Sequence, residues 1–165
     1  MELPAVPVLP LRTARLVLRL FYTKYLEPLH AFHSDAEAVR YVPYPPRSRA
    51  AVSTVLERKT RSTAFRGQGD LIELAVTLAE DGTLIGDLLL ALRSVEHETV
   101  EVGYIFSPAH ARQGYATEAV RALFNLAFTQ LGARRVVASS TIAPHHPPDA
   151  VPDMRFPATL REPTG

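Results

Sequence analysis

Residues 100–131 read VEVGYIFSPAHARQGYATEAVRALFNLAFTQL, and the order of patterns inside this stretch decides the fold. It opens on an alternating run. Val100, Val102, Tyr104 and Phe106 fall on one face and Glu101, Gly103 and Ile105 on the other, which predicts a strand. It closes on a helical pattern: after Val120, the apolar residues Leu123, Phe124, Ala127, Phe128 and Leu131 share one face, and Gly132 supplies a stop signal. Between the two, Arg112-Gln113-Gly114-Tyr115-Ala116-Thr117 puts a glycine at the helix entrance and leaves several N–H groups without a partner inside the helix. Those groups and the positive end of the helix dipole make an anion site. We read it as a cradle for a pyrophosphate.

The kind of phosphate ligand is narrowed by exclusion. There is no G-x-x-x-x-G-K-[ST] and no G-x-G-x-x-G, so neither a nucleoside-triphosphate loop nor a dinucleotide fingerprint is present. With 18 basic against 17 acidic residues the net charge is +1, which gives no general attraction to nucleic acid or an anionic membrane. Cysteine is absent, which removes disulfides, thiolate catalysis and thiolate metal sites together and accords with a cytoplasmic protein. The first residues carry Glu2, Pro4, Pro7 and Pro10 and do not read as a signal peptide. No run approaches the ~18 apolar residues of a membrane span.

Outward from the central stretch, residues 1–11 are a Pro-rich lead-in. Leu16, Leu18 and Leu20 alternate with Val17, Arg19 and Phe21, a strand. Residues 22–65 read as helical with interruptions. One helix is predicted over 26–33, with Pro28 in its first turn. Asp35 caps a second short piece to about Val42, Pro43, Pro45 and Pro46 break the chain, and Ser48 caps a longer helix to about Phe65. Ile72, Leu74, Val76 and Leu78 alternate with Glu73, Ala75 and Thr77, a half-buried strand. Glu80-Asp81-Gly82-Thr83 turns it into a second strand over 84–92, where Gly86 marks a bulge. A bulge or close backbone approach is also expected at Gly103. Residues 135–140 read as a last strand. His97, between two glutamates, reads as a solvated tip. No metal site is assigned.

The fold class is therefore α/β (α+β), a mixed central sheet flanked by helices in one domain over 1–165. The loop at 111–116 resembles the acetyl-CoA loop of the GNAT N-acetyltransferases, Q/R-x-x-G-x-G/A, with Gly114 and Ala116 on the pattern and Ala111 where Gln or Arg is usual. Glu101-Val102-Gly103-Tyr104, the run GYATEA at 114–119 and T-x-R-L-x-L-R at 13–19 resemble the branch of ribosomal-protein N-terminal acetyltransferases.

The resemblance implies acetyl-CoA as co-substrate and a primary amine as acceptor. Its diphosphate would lie on the Arg112, Gln113, Gly114, Tyr115, Ala116 and Thr117 loop. Its pantetheine arm would bond the main chain of Ile105, Phe106 and Ser107 where two strands part. An alkylammonium has no lone pair, so a base must take a proton, and Glu101 matches a position that does so in the family. Its other reading is a structural partner for an arginine. N–H groups near Ile105 and Phe106 would serve the oxyanion. Thr117 either caps the helix or touches phosphate, and the charge of Glu118 suits a helix's first turn. Tyr41 and Tyr44 either contact the amine or pack a Pro-rich turn.

The resemblance stops at about residue 140. Family members continue into a helix and a hairpin, whereas residues 144–165 hold six prolines in 22 residues and read as Pro-rich coil. His145 and His146 lack further ligands at useful spacing. Loss of the hairpin would expose a sheet edge and allow a homodimer through it. The functional alternative is a non-catalytic or degenerate acetyl-CoA-binding protein. Enrichment in Pro, His and Arg after an intact strand is what a one-base slip in GC-rich DNA produces. Translating the coding DNA from about codon 140 in the other two frames should then give an Asn-containing amphipathic helix followed by a Gly-Phe strand. Finding neither would make the tail a natural divergence.

Overall fold

A computed structural model of the chain describes residues 1–40 and 45–138. Six strands, β1 (Leu11–Arg12), β2 (Leu16–Leu20), β3 (Leu71–Leu78), β4 (Leu84–Ser94), β5 (Thr99–Phe106) and β6 (Arg135–Ala138), form one sheet in sequence order. Three α-helices, α1 (Leu26–His33), α2 (Arg49–Arg61) and α3 (Tyr115–Thr129), lie between them in the chain. Neighbouring strands are antiparallel except β5 and β6, which run parallel. A parallel pair needs a crossover, and α3 is that crossover. The mixed sheet and flanking helices match the class read from the sequence. Tyr41, Tyr44 and the Pro-rich tail, with the edge expected beside it, lie outside the described residues.

Each face of the sheet has its own core. On one, Ala119, Leu123, Leu126 and Ala127 of α3 pack with strand residues such as Leu74, Leu88 and Val102. Phe124 and Phe128 flank this seam partly buried, so the helical face read from the sequence is the one that packs. On the other, Leu29 and Phe32 of α1 and Val52 and Leu56 of α2 cluster with Ala75, Leu84 and Ile105. Strand β3 is consequently buried on both faces, not half-buried as its alternation suggested. Alternation records polarity, and here the polar side of the strand is covered by α2.

Other departures have local causes. Helix α2 starts at the Ser48 cap, whose hydroxyl accepts from the Ala51 N–H at 3.2 Å. It stops at Arg61 because Thr63 bridges to Ile72 and Phe65 exchanges two main-chain bonds with Ala5, at 2.8 and 2.9 Å. The lead-in is thus tied into the fold. The Asp35 carboxylate accepts from the Glu37 and Ala38 N–H groups at 2.8 and 3.2 Å, but residues 36–40 form turns and not a helix. The β3–β4 register skips Ile85, beside the predicted Gly86. No bulge occurs at Gly103, which pairs regularly with Leu89; the β4–β5 irregularity falls at Arg93.

Five charged or titratable groups are gathered where α1 and α2 cover the sheet. Lys59 Nζ donates to Glu73 Oε1 at 2.8 Å and to Asp87 Oδ1 at 3.1 Å. Asp87 Oδ2 lies 2.9 Å from His33 Nε2, and Arg58 Nη2 donates to Glu73 Oε1 at 2.8 Å. Lys59, Glu73, Asp87 and His33 are all at most 5 % exposed. Burial alone would raise the Asp87 pKa. The Lys59 charge and the bond and charge of His33 outweigh it and hold the group at about 2.

That set generates a prediction in two readouts. Lys59→Met leaves two buried carboxylates with only Arg58 on Glu73 and His33 on Asp87, and should lower unfolding stability by about 3–5 kcal/mol in urea titration. The Asp87 pKa is lower folded than unfolded, so its contribution is complete above about pH 4 and is lost as pH falls towards 2. Asp87→Asn should flatten the urea midpoint over that window.

Candidate functional site

The loop between β5 and α3 is built to present main-chain donors. It leaves the sheet through a 3₁₀ turn, Pro108–His110, and reaches α3 through Arg112 and Gly114, at φ +62° and +79°. The second value is left-handed backbone that glycine adopts at little cost. The Gly114 carbonyl accepts from the Glu118 N–H at 3.1 Å and so starts the helix. Among the described residues, no group accepts from the N–H of Arg112, Gln113, Gly114, Tyr115, Ala116 or Thr117. Arg112, Gln113 and Gly114 are exposed and the next three half-buried. This is the donor-rich helix entrance expected from the sequence, starting at Tyr115.

Residues just before β2 grip this loop. Glu118 Oε2 accepts from Thr13 Oγ1 at 2.5 Å and from the Arg15 N–H at 2.9 Å, and Glu118 Oε1 accepts from Arg15 Nε at 2.8 Å. Partial burial would raise the pKa of Glu118, but the Thr13 and Arg15 bonds prevail and lower it. Arg15 Nη1 donates to the Gln113 carbonyl at 2.8 Å, and its guanidinium stacks 4.3 Å above the Tyr115 ring. An open groove of about 520 Å³ runs from Gly114 and Thr117 along α3 to Arg121 and Asn125, with Thr13 and Arg15 on its opposite wall. Glu101 is not among its lining residues.

Strand β5 brings the remaining site residues together. Two bonds fix its phase: the Ser107 N–H donates to the Ile85 carbonyl at 2.8 Å, and the Leu92 N–H to Asp70 on the β3 side at 3.0 Å. Antiparallel pairing alternates, so Glu101, Gly103 and Ile105 spend their main-chain groups on β4. Those of Val100, Val102, Tyr104 and Phe106 face the β6 side. Pairing with β6 is described up to Val102 and Ala138, and Phe106 lies beyond it. Of the three residues expected to offer main-chain groups there, two are engaged within the protein. Ile105 bonds β4, while Ser107 donates to Ile85 and accepts from the His110 N–H at 3.1 Å. Among the described residues, none pairs with Phe106 on the β6 side.

The Glu101 side chain points to the α1 and α2 face and is 6 % exposed. It pairs with Arg93 Nε, whose side chain is half-exposed at the β4 irregularity. An arginine partner was the other reading of Glu101, and the arginine is Arg93, eight residues earlier in the chain. Thr13, Arg15 and Glu118 went unread as a unit because 103 residues separate Arg15 from Glu118. Among the described residues, no three His, Asp or Glu side chains are placed to hold a metal ion, and no helix is long and apolar enough to cross a membrane.

A crossover helix whose entrance offers amides with no acceptor among the described residues, beside the end of β5, suits an anionic ligand. The comparisons name the family. A model of the acetyltransferase (GNAT) domain matches residues 15–147, and the chain belongs to that family. It is 27% identical over 128 residues to the uncharacterized N-acetyltransferase YnaD of Bacillus subtilis, covering 77% of this chain and 70% of that one. A GNAT-family acetyltransferase from Bacillus anthracis shares the fold with a TM-score of 0.67 at 23% identity, over 77% of this chain and 70% of that one. So does a spermidine N-acetyltransferase from Vibrio cholerae, solved with CoA and spermine, with a TM-score of 0.64 at 20% identity over 76% and 71% of the two chains.

The position of Phe106 can be tested through Gly86, its partner across the ladder. A Cβ added at Gly86 would lie 2.5 and 2.7 Å from two carbons of the Phe106 ring. Gly86→Ala must displace that ring and should cost about 1–3 kcal/mol, read as a lower urea midpoint. An unchanged midpoint would mean the ring does not rest there.

Proposed function

We propose that this chain transfers the acetyl group of acetyl-CoA to a primary amine, either a protein N-terminus or a small-molecule amine. The observation carrying this reading is the row of amides from Arg112 to Thr117 that have no acceptor among the described residues, at the end of β5. The diphosphate would sit on those amides and on the dipole of α3. The amide-bearing arm would lie along the β6 side of Phe106, meeting main-chain groups as an added strand does. The likeness to a protein solved with CoA and an alkyl amine supports the same two ligand classes.

Chemistry follows from the acceptor's charge. The ammonium must lose a proton before its nitrogen attacks the acetyl carbonyl. Glu101 is the carboxylate on β5 assigned to receive it. It stands five positions from Phe106, roughly 16 Å along a strand, so the proton travels through water. The Phe106 N–H is the donor assigned to the oxygen that gains charge during attack. The carbon–sulfur bond then breaks and the CoA thiolate leaves with a proton from solvent. The Pro-rich tail and Tyr41 and Tyr44 have no assigned role in these steps.

A second reading is favoured by one observation: Arg93 already holds Glu101, as a structural carboxylate would be held. Calorimetry with CoA, beside thiol release over a panel of primary amines, separates the two. Binding with release supports acetyl transfer, and binding without release supports a non-catalytic CoA-binding protein. Glu101→Gln should lower kcat by roughly 10²–10³ with CoA affinity unchanged. If it lowers the urea midpoint and leaves turnover intact, Glu101 is structural.

A further inference from the structure

The T-x-R wording at 13–15 and the glutamate at 118 entered the sequence reading only as family likeness and helix electrostatics. Their geometry gives them a shared task. Glu118 receives three donors from one short segment: the Thr13 hydroxyl, the Arg15 main-chain N–H and the Arg15 Nε. The Thr13 N–H also donates to the Leu16 carbonyl at 2.9 Å, and the Ala79 N–H to the Arg15 carbonyl at 2.9 Å. The segment is thereby anchored to β2, to the β3–β4 turn and to α3. From this base Arg15 sends Nη1 to the Gln113 carbonyl.

That bond governs the direction of a ligand-facing group. In a trans peptide the carbonyl and the following N–H point opposite ways. With its oxygen drawn to Arg15, the Gln113–Gly114 peptide turns the Gly114 N–H away from Arg15, out of the protein's own bonding. The left-handed Gly114 needs such a hold, because glycine tolerates the concerted rotation about the flanking bonds that would flip the peptide and withdraw the donor. Arg15 also packs against Gly114, its Nη2 lying 3.3 Å from where a Cβ would be.

We propose that Arg15, set by Glu118, is a positioning residue that orients the Gln113–Gly114 peptide for the diphosphate of acetyl-CoA and is not itself the cation that binds it. The guanidinium is neutralised by Glu118 and has two of its donor atoms in use. Its fork reaches a carboxylate and a carbonyl at once, which an ammonium cannot reproduce. The inference rests on the acetyl-CoA reading above.

The two roles predict opposite signs, and CoA affinity by calorimetry reads them. If Arg15 positions the peptide, Glu118→Gln loosens it and weakens CoA binding, by roughly tenfold for the loss of one well-oriented charge-assisted bond. If Arg15 were the phosphate's counter-ion, removing its carboxylate partner would leave binding unchanged or tighter. Arg15→Lys should be as weak as Arg15→Met, whereas a point-charge contact would be restored by lysine. Where turnover is measurable, the KM for acetyl-CoA should rise in these variants with kcat within about twofold. A general structural defect would lower kcat and the urea midpoint together. Should Arg15→Met fail to fold, Glu118→Gln and Arg15→Lys carry the test. Unchanged or tighter binding in Glu118→Gln, or full rescue in Arg15→Lys, overturns the proposal while the acetyl-CoA reading stands. No CoA binding by the unaltered chain overturns both.

Discussion

Strand β5 has one set of main-chain groups and two neighbours, and alternation obliges it to divide them. The odd-numbered residues from Glu101 to Ile105 bond β4, leaving the even-numbered ones for the β6 side. Side chains divide by the same parity: Val100, Val102, Tyr104 and Phe106 pack towards α3, whereas Glu101 and Ile105 point towards α1 and α2. One strand therefore turns its even-numbered main-chain groups to the β6 side in the plane of the sheet and carries a carboxylate on one face. A slip of one residue would exchange the two sets and bury the wrong face. The skipped Ile85 and the irregularity at Arg93 lie at either end of the regular β4–β5 ladder, with the pairing from Gly86 to Leu92 unbroken between them.

Two sets of charged side chains support this strand from opposite sides. Under α1 and α2 the ions are sealed from water and bind helix to sheet through Lys59. Beside α3 they are partly solvated and bind the approach to β2 to the loop through Glu118. The difference in burial sets the difference in cost. Removing one partner from a sealed set leaves a charge with no solvent to turn to, whereas the solvated set can be rehydrated. The first set thus bears chiefly on folding and the second on the shape of a surface.

Much of the fold was legible because it rests on local pattern. The alternation of Leu16, Leu18 and Leu20, the spacing of Leu123, Ala127 and Leu131, and the Ser48 cap all act over a few residues, and the structure keeps each of them. What escaped reading depends on contacts distant in sequence. Ala5 ends α2 by bonding Phe65, and α2 covers the face of Glu73 that alternation had given to solvent. Asp87, a lone charge inside the apolar run 84–92, was a signal that a buried counter-charge lay opposite; no local rule identifies Lys59 as that charge. In the site, the donor loop was readable from a glycine and a helix start. Which β5 residues turn their main-chain groups to the β6 side was not, because that depends on ladder phase, fixed by Ser107 and Leu92.

The sealed position of Lys59 has a chemical corollary. A thioester donor acylates any unprotonated amine it can approach, its host's own included. The sequence has two lysines. One is enclosed between Glu73 and Asp87, and the other, Lys24, stands exposed beside Tyr22 and Tyr25. Among side chains, self-modification would gather on Lys24, and the mass of one added acetyl group there would record exposure to donor without touching the framework.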